Sequence, residues 1–226
     1  MKNHNTCFSF SFPARFCAVV VSSAFFFSLA FISDLKGESP PVILAFGDSL
    51  TAGFGVAEPE NYPSRLQVIL KEKGYPHRVV NAGVSGDTTA GGVRRITWLL
   101  KQNPRIVVLA LGANDGLRGL SIGEMYSNLK QIIEICRERG AKVLLAGMKV
   151  PPNYGEKYSQ EFVDVYVKLS QEFELRLLPF ILEGVAAKRE YTQADGIHPL
   201  GPGYEIVAAT VWKHLEPMLT TTSTSK

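Results

Sequence analysis

The sequence predicts an α/β fold in which helices cover both faces of a parallel β-sheet. From Pro41 onward, short apolar runs alternate with longer stretches in which apolar residues recur at helical spacing. The run from Ile106 to Leu111 has no polar alternation, as expected for a strand that is buried on both faces. Hydrophobic residues make up 46% of the 226 positions, which is enough to form one sizeable core.

Each predicted strand is a short apolar run bounded by Gly, Pro or small polar residues. In chain order the predicted strands are Val42 to Phe46, Arg78 to Asn81, Ile106 to Leu111, Lys142 to Met148 and the short run Leu175 to Leu178. The unbroken apolar character of the third run predicts that it lies in the middle of the sheet.

The predicted helices carry apolar stripes at helical spacing and alternate with the strands. They span Tyr62 to Gly74, Thr88 to Leu100, Ser121 to Gly140, Tyr158 to Phe173 and Tyr204 to Leu215. The second helix is weakened by Gly91 and Gly92, at ~1 kcal/mol per Gly relative to Ala. The third helix has the spacing of a capping box at Ser121 and Glu124. Aromatic residues in these stripes are interpreted as core surfaces, so no cofactor site is expected there.

The first 37 residues, here called the leader, have the pattern of a targeting segment. Lys2 and Arg15 precede an uncharged run of 17 residues from Phe16 to Ile32, and a polar stretch follows. We expect a cleaved signal peptide over 1–37. The alternative is an uncleaved N-terminal anchor, because the run has the shortest length that spans a bilayer. The protein would then be exported, and either periplasmic or anchored in the membrane with its domain facing the periplasm.

The chain after the leader is predicted to form one domain over 38–219, followed by a flexible polar tail over 220–226. Cys136 is the one cysteine in this part of the sequence, so no intramolecular disulfide is expected. The formal net charge is +3, and the basic residues form no block that could neutralise many phosphates. Nucleic-acid binding is therefore not expected, and we expect a monomer.

Small polar residues and glycines gather in the loops that follow the first three predicted strands. The loops are Gly47-Asp48-Ser49-Leu50, Asn81-Ala82-Gly83-Val84-Ser85-Gly86-Asp87 and Gly112-Ala113-Asn114-Asp115. Functional groups of open parallel sheets lie in such loops, beyond the carboxyl ends of the strands. Near the C-terminus, Asp195 and His198 stand three residues apart, a spacing that suits an Asp that orients the Nδ1–H of a His.

These residue types, in this order, predict acyl transfer by a serine nucleophile. The Ser49 hydroxyl needs a base to take its proton, and His198 is such a base when Asp195 holds it in one tautomer. The oxyanion would be stabilised by the backbone N–H groups of Ser49 and Gly86 and by the side-chain amide of Asn114. Each element alone is more often an ordinary turn or helix cap, but the combination at strand ends favours catalysis.

Other classes of protein fit the sequence less well. Gly53-Phe54-Gly55 does not complete a dinucleotide-binding motif, and a flavin-type binder on the same fold would not need this set of polar residues together. The four histidines are scattered, so no metal site is expected, and His77 and His214 are interpreted as surface residues. A non-catalytic lipid or glycan carrier on a hydrolase fold is a further alternative, although every catalytic role is filled.

The motifs resemble those of the SGNH, or GDSL, hydrolase family. Four segments are similar to its first, second, third and fifth motif blocks: Ala45 to Gly53, Asn81 to Thr88, Leu111 to Gly116 and Asp195 to Pro199. Asn114 to Gly119 and Pro151 to Gly155 are similar to the bacterial branch of thioesterase I, protease I and lysophospholipase L1. The resemblance covers essentially all of 41–219. Ala113 and Val150 depart from the family pattern, which has Gly and Leu there.

This resemblance implies a flavodoxin-like three-layer α/β/α sandwich with a five-stranded parallel sheet. It implies that Ser49 is nucleophile and oxyanion donor, that Gly86 and Asn114 are the other donors, and that Asp195 and His198 complete the triad. It also implies hydrolysis of thioesters, aryl esters and lysophospholipids without a metal or cofactor.

Apolar residues in the loops near the expected site favour an acyl chain over a sugar as substrate. They are Leu117, Leu120, Val150 and Tyr154, and we expect them to line the substrate site under a flexible loop over 116–121. The alternative within the enzyme class is O-deacetylation of a polysaccharide or peptidoglycan by the same catalytic set. The expected partner is a small acyl ester, an acyl thioester or a lysophospholipid. Membrane contact is expected only through an uncleaved leader or a lipid substrate.

Overall fold

The computed structural model describes residues 39–219 and the single residue Ser9. Its five strands are β1 Val42–Gly47, β2 Arg78–Gly83, β3 Pro104–Ala110, β4 Lys142–Ala146 and β5 Arg176–Leu178. They form one parallel sheet in the order β2-β1-β3-β4-β5, so β3 is the central strand as predicted. The predicted leader, apart from Ser9, and the predicted tail over 220–226 lie outside the described residues.

Helices cover both faces of this sheet, which confirms the predicted α/β sandwich. They are α1 Ser49–Ala52, α2 Tyr62–Glu72, α3 Thr89–Leu99, α4 Ala113–Leu117, α5 Ile122–Glu138, α6 Glu156–Glu172 and α7 Gly201–Leu215. The connection from β1 to β2 runs along the sheet in the opposite direction to the later connections. Right-handed crossovers therefore place α2 on one face and α3, α5 and α6 on the other. The last helix, α7, packs on α2.

The core lies on both sides of β1 and β3. All six residues of β1 are buried, and so are six of the seven residues of β3. Buried aliphatic residues from α5 and aromatic residues from α6 pack against this sheet. Burial of this apolar surface stabilises the fold by ~25 cal/mol per Å². It holds the strands in place, and the polar loops emerge from the strand ends.

Some strand bounds differ from the predicted ones for identifiable reasons. Strand β2 continues two residues beyond Asn81, because Gly47 of β1 still pairs with Gly83. Strand β4 ends at Ala146 rather than Met148, since Gly147 leaves the ladder, donating its N–H to Leu178 and accepting from Ile181.

The interpretation of His77 as a surface residue is wrong. Its side chain is only 6% exposed, its Nδ1 atom has no hydrogen-bond partner among the described residues, and burial lowers its pKa. His214 is half-buried, and its Nδ1 atom lies 3.0 Å from the carbonyl oxygen of Thr210. Within residues 39–219, no helix is both long and apolar enough to cross a membrane.

Candidate active site

Ser49 lies at the carboxyl end of β1, on a sharp turn from strand to helix. Asp48 caps the short helix α1, and its Oδ1 atom accepts the Leu50 N–H at 3.0 Å. The helix ends after one turn at Gly53, which has a φ of +84°. Asp48 is almost fully buried, and this burial raises its pKa to about 6, against the lowering effect of the Leu50 N–H and of the His198 charge.

The imidazole of His198 joins Ser49 to Asp195. The Nε2 atom lies 2.9 Å from the Ser49 Oγ, and the Nδ1 atom lies 2.6 Å from the Asp195 Oδ2. The other carboxylate oxygen, Oδ1, accepts the backbone N–H groups of Ile197 at 2.9 Å and His198 at 3.0 Å. Burial alone would raise the pKa of Asp195, but the hydrogen bonds from the His198 ring and from the two N–H groups outweigh it and lower the pKa to about 2.

The loop after β2 brings Gly86 to the same edge of the sheet. The N–H of Asp87 donates to the carbonyl of Val84 at 3.1 Å, so Val84 to Asp87 form a four-residue turn. Gly86 occupies its third position with a φ of +78°, which only glycine adopts without strain. The loop is further tied by Arg118, whose Nη2 donates to the Gly86 carbonyl at 2.9 Å.

Asn114 projects from the short helix α4, which follows β3. Its Nδ2 atom donates to the carbonyl oxygen of Asp87 at 3.0 Å and lies 3.5 Å from the Asp48 Oδ2. Its neighbour Asp115 is buried and accepts the N–H and the hydroxyl of Thr89 at 2.9 and 2.6 Å. Burial raises the pKa of Asp115, while the bonds from Thr89 lower it. These contacts tie α4 to the first turn of α3.

All the polar residues predicted for the site, apart from Asp195, line one cavity of about 200 Å³. The cavity is lined by Ser49, Leu50, Phe54, Ser85, Gly86, Ala113, Asn114, Leu117, Ile197 and His198. Phe54, whose ring centroid lies 4.7 Å from that of His198, was not predicted as a site residue from the sequence. The available signal was an aromatic side chain between two glycines, directly after the turn that carries Ser49.

The four residues predicted to bind the acyl chain do not line one cavity together. Leu117 lines the cavity, whereas Leu120, Val150 and Tyr154 are not among its lining residues. Leu120 and Tyr154 are 40% and 55% exposed. Val150 lies in a separate surface depression with residues of α6.

The segment 116–121, which begins in the last turn of α4, is fastened by two tyrosines that do not line the cavity. The hydroxyl of Tyr158 donates to the carbonyl of Leu120 at 2.9 Å, and that of Tyr154 lies 3.5 Å from the carbonyl of Leu117. The rings of Tyr154 and Tyr158 also pack edge to face, with centroids 5.5 Å apart. The two tyrosines therefore hold this segment, while Leu117 lines the cavity.

Other reactive groups lie apart from this cavity. Cys136 lies on the buried face of α5, and burial raises the pKa of its thiol to about 12. No group of three or more His, Cys, Asp or Glu side chains suited to a metal ion occurs in the described part of the chain.

Comparison with known proteins gives consistent matches. Residues 45–206 match the model of the GDSL-like lipase/acylhydrolase family. The chain is 40% identical over 192 residues to esterase TesA of Pseudomonas aeruginosa, covering 84% of this chain and 96% of that protein. It is 34% identical over 220 residues to thioesterase 1/protease 1/lysophospholipase L1 of Escherichia coli K12, covering 97% and 98%. The crystal structure of the psychrotrophic esterase EstA from Pseudoalteromonas, inhibited by monoethylphosphonate, superimposes with a TM-score of 0.76 at 30% identity, covering 80% of this chain and 99% of that one.

Proposed function

Because the chain belongs to the GDSL-like lipase/acylhydrolase family and is a carboxylic ester hydrolase, we propose that Ser49, His198 and Asp195 are its catalytic triad. The observation that carries this assignment is the pair of hydrogen bonds through the His198 ring, at 2.9 Å to Ser49 and 2.6 Å to Asp195. The bond cleaved is a carboxylic ester or thioester of an acyl substrate.

In the first half of the reaction, the Ser49 Oγ attacks the acyl carbonyl carbon while His198 Nε2 takes the hydroxyl proton. Asp195 keeps the Nδ1–H of His198 in place and stabilises the imidazolium that forms. The tetrahedral intermediate then collapses, and His198 returns its proton to the leaving alcohol or thiol. Ser49 is left as an acyl ester.

In the second half, His198 takes a proton from a water molecule that attacks the Ser49 ester. The carboxylic acid leaves, and the proton returns to the Ser49 Oγ, so the enzyme is regenerated without a net change. In both halves the negative oxygen accepts hydrogen bonds from the N–H groups of Ser49 and Gly86 and from the amide of Asn114. The shared cavity that these three residues line supports this role.

The acyl group is proposed to lie in the same cavity. Its volume of about 200 Å³ and its apolar lining of Leu50, Phe54, Ala113, Leu117 and Ile197 suit a short acyl or aryl group. The longer chain of an acyl thioester or a lysophospholipid would extend out of the cavity across Leu117, which is 37% exposed. The names of the relatives, esterase and thioesterase 1/protease 1/lysophospholipase L1, support this range of substrates.

A substrate panel tests the proposal directly. Purified protein is assayed with 4-nitrophenyl esters from acetyl to lauroyl, with acyl thioesters of the same lengths, with a lysophospholipid and with O-acetylated peptidoglycan. We expect turnover of the esters and thioesters and labelling of Ser49 by a fluorophosphonate, located by peptide mass spectrometry. Acetyl release from peptidoglycan that exceeds hydrolysis of every acyl ester would favour the deacetylase instead. Absence of both turnover and labelling would indicate a non-catalytic carrier.

We also propose that the protein is exported and acts as a monomer, with the leader either cleaved or retained as an anchor. The charged start and uncharged run of the leader support export. Cell fractionation, the intact mass of the recovered protein and light scattering after gel filtration test these statements. Recovery of the full-length chain from the cytoplasmic fraction would contradict export.

A further inference from the structure

Arg95 on α3 connects three segments at the edge of the sheet that carries the active site. Its Nη2 donates to the carbonyl of Gly47 at 2.8 Å, and its Nη1 donates to the carbonyl of Ala82 at 2.6 Å. Its Nε donates to the Asp87 Oδ2 at 2.7 Å. One guanidinium therefore joins the ends of β1 and β2 and the turn that follows β2.

The surroundings of this guanidinium hold it in one orientation. Its carbon lies 4.3 Å from the centre of the Phe46 ring, and the side chain is only 20% exposed. Gly91 makes room for the partner, since a Cβ atom there would lie 1.7 Å from the Asp87 Oδ1. Charge-assisted bonds of this kind are stronger than neutral ones, and the planar fork of arginine suits several acceptors at once.

Two of these contacts, those to Gly47 and Asp87, lead to groups proposed to bind the oxyanion. Gly47 stands two positions before Ser49 in the chain. Its carbonyl also accepts the N–H of Val84 at 3.1 Å, so it fixes the first residue of the turn that contains Gly86. Arg95 fixes the last residue of that turn through the carboxylate of Asp87.

The third donor is reached through the same aspartate. The backbone carbonyl of Asp87 accepts the amide of Asn114 at 3.0 Å. Arg95 itself is not among the residues that line the cavity. It therefore contacts the supports of Ser49, Gly86 and Asn114 without being placed to touch the substrate.

We propose that Arg95 is a positioning residue of the oxyanion site, which holds Ser49, Gly86 and Asn114 at fixed separations through Gly47 and Asp87. This inference rests on the proposed function. A displacement of ~1 Å in such a site costs up to ~100-fold in rate, and the loss falls on the transition state rather than on substrate binding.

The test compares Arg95→Ala and Arg95→Lys with Arg94→Ala, which removes an exposed arginine from the adjacent position of the same helix. With a short 4-nitrophenyl ester we expect Arg95→Ala to lower kcat by about 30- to 100-fold and to leave KM within about twofold. Arg95→Lys is expected to recover less than about tenfold, because an ammonium cannot reach three divergent acceptors. Arg94→Ala is expected to match the wild type.

Two further measurements separate positioning from general support of the fold. Methylguanidinium at low millimolar concentration is expected to raise kcat of Arg95→Ala and to leave Arg94→Ala unchanged. The acidic limb of the pH–rate profile is expected at the same pH in Arg95→Ala and in the wild type, because Arg95 contacts neither His198 nor Asp195. If Arg95→Ala does not fold, Arg95→Lys decides the question by the same split between kcat and KM.

The inference is overturned if a folded Arg95 variant keeps kcat within about threefold of the wild type, or if its loss lies in KM. Wild type and Ser49→Ala are assayed in parallel. Absence of ester hydrolysis by the wild type, or full activity of Ser49→Ala, would contradict the proposed function itself. If the wild type and Ser49→Ala behave as expected and only the Arg95 variants do not, only the positioning role is contradicted.

Discussion

The Nε2 atom of His198 lies 2.9 Å from the Oγ atom of Ser49, although the two residues are 149 positions apart in the chain. The contact depends on two local structures. The one-turn helix α1 presents Ser49 at the end of β1, and the bridge between Thr192 and Pro199 closes the loop that carries His198. The carboxylate of Asp195 accepts two N–H groups of this loop as well as the His198 ring, so it shapes the loop and orients the imidazole.

This contact predicts that Ser49→Ala and His198→Ala each lower kcat by several orders of magnitude. The thermal unfolding temperature should stay close to that of the wild type, because neither change opens the core. Ser127→Ala, at an exposed position of α5, is the control for removal of a hydroxyl. A variant at Ser49 or His198 that keeps more than about a tenth of the wild-type rate would refute the triad.

Asn114→Ala should lower kcat by ~10²- to 10³-fold with little change in KM, because the amide is proposed to bind the oxyanion and not the ground state. Asn114→Asp should be at least as poor, since a carboxylate cannot donate and repels the developing charge. Steady-state kinetics with one neutral ester gives both constants. A defect confined to KM would instead mean that Asn114 binds the substrate.

The raised pKa of Asp48 predicts that this buried carboxyl stabilises the fold more at acid pH than at neutral pH. Burial raises its pKa from 3.8 to about 6, so the folded state holds the proton more tightly than the unfolded state. Asp48 therefore favours folding at acid pH, and this contribution is lost as the pH rises from about 4 through 6, with a total of about 3 kcal/mol. Asp195 has the opposite sign, but its pKa of about 2 places that loss of stability below this range.

The free energy of unfolding in urea, measured at pH 4.5 and pH 7 for wild type and Asp48→Asn, checks this prediction. His77 titrates in the same range with the opposite sign, because burial lowers its pKa and its neutral form favours folding. The informative quantity is therefore the difference in unfolding free energy between wild type and Asp48→Asn, in which the His77 contribution cancels. That difference should shift by about 1 to 3 kcal/mol in favour of Asp48→Asn as the pH rises. A difference that is the same at both pH values would mean that Asp48 is not the titrating group.

The parts of the molecule that depend on local periodicity were predictable from the sequence. Strand β3 and helix α5 follow directly from apolar spacing, and Ser49 and Asn114 stand where strands end. Arg95 was not predictable, because on a helical pattern it is an ordinary polar position. Its role arises only when β1, β2 and α3 meet.

The acyl-site residues show the same limit. Val150 and Tyr154 follow β4, which lies next to β3 in the sheet, so they were expected near the site. Which cavity a loop side chain lines, however, is decided by packing. The Tyr154 ring packs against Gly119, where a Cβ atom would come within 2.8 Å of it, and it does not line the cavity. His77 was misplaced for a similar reason, since its flanking Pro76 suggested an exposed turn.

The last prediction concerns the length of the acyl chain. Leu117 lines the cavity and Val150 does not, although a Cβ atom on Gly116 would lie only 2.5 Å from the Val150 Cγ1. Val150 thus packs beside Gly116 without lining the cavity, and truncating Leu117 and Val150 in turn gives a matched pair. Each methylene that the cavity buries contributes up to ~0.8 kcal/mol, or about fourfold in kcat/KM, until the cavity is full.

Leu117→Ala should reduce this gain per methylene between acetyl and hexanoyl esters and leave acetyl ester turnover within a few fold, because the triad is unchanged. Val150→Ala should leave the whole profile from acetyl to lauroyl unchanged, with at most a small loss of stability. If Val150→Ala shifts the profile and Leu117→Ala does not, the acyl chain runs behind the loop, and the cavity beside Ser49 is not the acyl site.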